Sequence, residues 1–82
     1  MHIVKYIKGG MVMSFKYNKL WKLLVDKGIN KTELRKRTGI GTATLAKLSA
    51  NENVSLDVLE KICKELSCDI SDIIEYTEDV MS

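Results

Sequence analysis

The chain has 82 residues, 45% of them hydrophobic, with no proline, two cysteines, one histidine and a formal net charge of +2. A chain of this length holds a single modest core, so one domain is expected, completed by dimerisation because a small core alone is only marginally stable. One histidine and the absence of any nucleophile or phosphate-cradling motif exclude the usual metal centres and acid–base sites, so no enzyme activity, metal or cofactor is expected.

The leader MHIVKYIKGGMVM is β-prone at Ile3, Val4, Tyr6 and Ile7. Gly9 and Gly10 offer a turn, and the stretch from Met11 to Tyr17 a second strand, so a hairpin or an intermolecular ribbon is open to it. A gene-level reading competes: Lys8-Gly9-Gly10 is what a purine-rich ribosome-binding site becomes when translated in frame. On that reading the natural start is Met13 and residues 1–12 are an upstream extension. The leader lacks the long apolar stretch of a secretory signal and no run approaches a bilayer span, so a soluble, cytoplasmic protein without membrane association is expected.

From here the apolar residues recur at helical spacing. A first helix is predicted from Asn18 to Lys27, with Leu20, Leu23 and Leu24 inward, Trp21 and Val25 on a neighbouring stripe, and Gly28 ending it. Asn30 caps a second helix in which Leu34 turns inward, and Gly39 leaves that helix with positive φ. After Ile40 and Gly41 a third helix begins at Thr42 and runs to Ala50, with Leu45 and Leu48 buried and Thr42, Ala43, Thr44 and Lys47 on its open side. Two short helices about a glycine-bounded turn are the layout that lays one helix in the DNA major groove.

Asn51 is positioned to cap the third helix or to meet a phosphate. Ser55 caps a fourth helix with Asp57 in its first turn and an inward stripe of Leu56, Leu59, Ile62, Cys63 and Leu66. Asp69, with Asp72 following, caps a short fifth helix bearing Ile70, Ile73 and Ile74. The stretch from Tyr76 to Ser82 is acidic and expected to fray. Cys63 and Cys68 are five apart, which suits neither a zinc quartet nor a redox pair, and read as buried free thiols. The fold class is therefore all-α with five helices, with a strand or hairpin added at the N-terminus. Its divisions are an extension over 1–13, the folded domain over 14–77 and an acidic tail over 78–82.

The small net charge conceals two opposed halves. Residues 1–50 hold eleven Lys and Arg against Asp26 and Glu33, or +9, whereas residues 51–82 hold Lys61 and Lys64 against nine acids, or −7. A molecule polarised in this way attracts and orients a polyanion, although segregated solvated faces produce the same totals.

The runs KGINKTELRKRTGIGTATLAKL and NVSLDVLEKICKELSCDISDII resemble the Cro/repressor-type helix-turn-helix regulators, the xenobiotic-response-element (XRE) group, from about Leu20 to Tyr76. The resemblance implies a five-helix, lambda-repressor-like domain and a transcriptional regulator, commonly a repressor, that binds double-stranded DNA as a homodimer. It places Thr42, Ala43 and Lys47 at base edges, Thr44 and Lys31 at phosphates, and Arg35, Lys36 and Arg37 on the helix that crosses the backbone. Two residues depart from the family pattern. Arg35 stands where alanine is common at the contact between the two motif helices, and Gly41 stands where a serine usually caps the recognition helix. Ile74, Tyr76 and Val80, with Trp21 and Val25, are the candidate dimer residues. The competing class is a non-catalytic protein-binding module such as an antitoxin or anti-repressor component; no small-molecule ligand is evident.

Overall fold

The computed structural model describes residues 11–80. The first strand and Gly9–Gly10 turn of the expected leader hairpin lie outside the described residues, as does most of the extension on which the start-site reading turns. The elements in order are β1 (Met11–Lys16), α1 (Asn18–Lys27), α2 (Lys31–Thr38), α3 (Thr42–Ser49), α4 (Leu56–Leu66), a 3₁₀ turn (Ile70–Asp72) and β2 (Glu75–Val80).

The helix boundaries follow local chemistry. Asn30 accepts the Glu33 backbone N–H at 2.7 Å to start α2, and Ser55 accepts that of Val58 at 3.3 Å to start α4. Gly28 and Gly39, at φ 69° and 77°, end α1 and α2 in the left-handed conformation, and the Gly39 N–H satisfies the Arg35 carbonyl at 2.9 Å. At the end of α4 the same conformation falls on Ser67, at φ 52°, and Cys68 N–H reaches back to the Cys63 carbonyl at 3.0 Å. A side chain resists that region, so Ser67→Gly is expected to stabilise the fold by about 0.5–1 kcal/mol, after glycine's own entropy is set against the relief. A rise in melting temperature checks this, and a fall would mean that the serine hydroxyl holds the turn.

Leu20, Leu24, Leu34, Ile40, Leu48, Leu59, Ile62, Leu66 and Ile73 form the core together with Tyr17. Tyr17 closes it at the junction of β1 and α1: its hydroxyl donates to the Glu52 carbonyl at 2.8 Å, and its N–H donates to Asn51 Oδ1 at 3.2 Å. Asn51 itself sits at φ 57° just beyond α3 and its N–H donates to the Leu48 carbonyl at 3.2 Å, so it closes that helix.

Four expectations are corrected. The fifth helix is a three-residue 3₁₀ turn. Asp72 accepts the Asp69 N–H at 3.0 Å as a cap should, but three β-branched isoleucines and the β-prone EYTEDV that follows do not extend it. Among the described residues there are thus four α-helices. The stretch expected to fray from Tyr76 instead begins within β2, which pairs antiparallel with β1 from Lys16↔Glu75 to Met11↔Val80. The strand expected at Met11 therefore forms, with the far end of the domain as its partner. Leu56, assigned to the inward stripe, is 78% exposed at the first position of α4, at the rim of a groove that Tyr17 and Leu59 also line. Leu45 is only half-buried, leaving Leu48 as the side chain that buries α3.

Candidate nucleic-acid interface

The α2–turn–α3 unit is anchored from beneath by Leu34, Ile40 and Leu48, one from each helix and one from the turn. With those three inside, helical geometry turns Thr42, Ala43, Ala46 and Lys47 outward, and all four are exposed, while Thr44 is half-buried at the edge of the face. Gly41 starts α3 in an extended conformation without a side-chain cap, as its lack of a hydroxyl requires.

Charge on this surface is one-sided. Lys47, Arg35 and Lys36 make no ion pair among the described residues, with Arg35 half-buried and the two lysines exposed. The single acid of the unit, Glu33, is held by Arg37 at 2.7 Å. Arg37 also lies 3.8 Å from Glu65 on α4, so its guanidinium spans the seam between the basic and acidic halves and is already engaged with two carboxylates. Lys31, at the first position of α2, is exposed, and its ammonium lies 4.1 Å from the Trp21 ring centroid while donating to Ser49 Oγ at 3.1 Å. Neither partner was legible in the sequence, because Trp21 and Ser49 fall in different helices with no periodic relation to Lys31.

Among the described residues no group of three or more His, Cys, Asp or Glu is placed to hold a metal ion. Both cysteines are free and half-buried. Burial, then the neighbouring Cys63 thiol and Asp72, push the Cys68 thiol up to about 11, which keeps it protonated and unreactive near neutrality. What the surface offers is hydroxyl, methyl and ammonium groups on the open face of a helix flanked by cations, a set suited to phosphates and base edges.

The Cro/C1-type HTH DNA-binding domain matches residues 19–79. The chain belongs to the Cro/C1-type helix-turn-helix family. Membership makes it a DNA-binding regulator of the XRE type and not an enzyme. It is 40% identical over 62 residues, 70% of each chain, to the uncharacterized HTH-type transcriptional regulator YozG of Bacillus subtilis (strain 168). It is also similar to the crystal structure of the transcriptional regulator VanUg, at 49% identity and a TM-score of 0.80 over 95% of this chain and 100% of that one. A helix-turn-helix domain accounts for the α2–α3 layout. No helix among the described residues is long and apolar enough to cross a membrane.

Proposed function

We propose that this Cro/C1-type domain is a sequence-specific repressor that works in the cytoplasm as a homodimer on double-stranded DNA, with the face of α3 in the major groove. The observation that carries the reading is the outward set Thr42, Ala43 and Lys47 on a helix whose other side is fixed in the core by Leu48. Thr42 donates or accepts at a base edge, Ala43 admits a thymine methyl, and Lys47 donates to guanine O6 or N7. Thr44, Lys31 and Arg35 take phosphates. Arg37, held by Glu33 and Glu65, contributes less, because a phosphate contact would have to compete with two carboxylates. So few discriminating side chains give modest specificity per copy, which two half-sites about one helical turn apart would strengthen.

Support for the dimer comes from the ribbon. Phe15 and Tyr76 form an edge-to-face pair with centroids 5.4 Å apart yet are 45% and 53% exposed, and a two-stranded ribbon alone is marginal in water. Glu75, Glu78 and Asp79 all fall on β2, so two β2 edges laid together would bring like charges close, whereas β1, MVMSFK, carries no acid. The two-fold axis is accordingly assigned to the β1 edge.

Titrating random and selected duplexes at several salt concentrations tests the reading. Binding that weakens steeply with salt, with selected sites showing paired half-sites, supports it. No binding at low ionic strength overturns it in favour of the antitoxin-like or anti-repressor module.

A further inference from the structure

The Lys31 ammonium is an exposed group on a flexible four-carbon stem, yet two neighbours hold it in one place. It lies 4.1 Å from the centroid of the Trp21 ring of α1 and donates to Ser49 Oγ on the last residue of α3 at 3.1 Å. Trp21 is half-buried and packs against the core, so the ring is a fixed surface, whereas Ser49 is exposed. An ammonium has three N–H donors and no acceptor. The hydroxyl takes one, the ring face attracts the charge without consuming a donor, and the remaining N–H groups stay available.

A free lysine loses much of its rotamer entropy when it clamps a phosphate; one already held loses less. We infer that Trp21 and Ser49 are positioning residues that hold the Lys31 ammonium in place for a DNA phosphate. This rests on the DNA-binding reading above. It assigns Trp21 a role other than the dimer contact that its place on the outer stripe of α1 suggested. It also links α3 to α2 through a side chain, so that α3 and its neighbouring phosphate contact are set by one geometry.

The consequence is a coupling. Removing the ring or the hydroxyl is expected to weaken DNA binding about two- to fivefold, the worth of an exposed cation–π contact, without changing the salt slope, because the cation is still present. Lys31→Ala is expected to reduce that slope by about one. In the Lys31→Ala background, Trp21→Leu and Ser49→Ala are expected to cost nothing further. With Lys31 present, Trp21→Phe, which keeps an aromatic face, is expected to lose much less than Trp21→Leu.

The experiment is a double-mutant cycle by fluorescence anisotropy on labelled duplex with the full chain, accompanied by the NMR shifts of the Lys31 ε-methylene in the free protein. The ring current of Trp21 should move those protons upfield, and Trp21→Leu should abolish the displacement. Ser49→Ala keeps the cycle readable should Trp21→Leu fail to fold. Equal penalties with and without Lys31, no penalty at all, or undisplaced Lys31 protons overturn the inference while wild-type binding leaves the DNA reading standing. Failure of the wild-type chain to bind any duplex at low salt overturns both.

Discussion

Leu48→Ala is expected to remove about 3–5 kcal/mol of folding stability, a large share of what a domain of this size possesses. Leu48 is fully buried and is the only buried residue of α3, so its truncation leaves a cavity where α3 meets the core formed with Leu34 and Ile40. An eight-residue helix is too short to persist by itself, which makes its position dependent on that one anchor. The melting temperature should fall by more than about 10 °C, at about 4–8 °C per kcal/mol for domains of this length. Leu45→Ala is the internal comparison. Its side chain is half-buried and outside the core cluster, so less apolar surface is returned to water and the loss should be near 1 kcal/mol. Thermal and urea melts of the two variants side by side test the assignment; equal losses would show that α3 is buried along a wider stripe than Leu48 alone.

The contrast between these two leucines shows where the sequence was legible and where it was not. Spacing of i, i+3 places Leu45 and Leu48 on adjacent flanks of one helix, but which of them reaches the core depends on how α3 is rotated against α2, a tertiary quantity. Signals that act within a turn were readable: Asn30 and Ser55 cap their helices, and Gly28 and Gly39 end theirs with positive φ. Those four residues fix the end of α1, both ends of α2 and the start of α4. Long-range pairing was not readable. The partner of β1 lies some sixty residues away in a stretch rich in acids, which reads as a solvated tail until its Tyr76, Thr77 and Val80 are set opposite Phe15, Ser14 and Met11. The ties of Tyr17 to Asn51 and Glu52, and of Lys31 to Trp21 and Ser49, escaped for the same reason. Arg37 illustrates the remaining ambiguity: a cation on the motif helix reads as a phosphate contact, and only the placement of Glu65 on α4 brings a second carboxylate to it.

Lys47→Ala is expected to weaken specific DNA binding by about 1–3 kcal/mol, or roughly 5- to 150-fold. Lys47 is exposed, is one turn beyond Ala43 on the same face, and carries a charge that no carboxylate among the described residues neutralises. Its ammonium has two destinations with different signatures. At guanine O6 or N7, its loss relaxes preference at one base pair while affinity for unrelated duplex changes little. At a phosphate, its loss lowers affinity evenly across sequences and reduces the salt slope by about one, since each neutralised phosphate releases roughly 0.9 of a counterion. Measuring wild type, Lys47→Ala and Lys47→Arg on matched and single-base-substituted sites at three salt concentrations separates the two. The arginine variant keeps the charge but replaces a point donor with a planar fork, so it should preserve the salt slope in either case and retain base preference only if its two donors still meet the guanine edge. A change in neither slope nor preference on removing Lys47 would take it out of the interface, and with it the side chain on which direct readout by α3 chiefly depends.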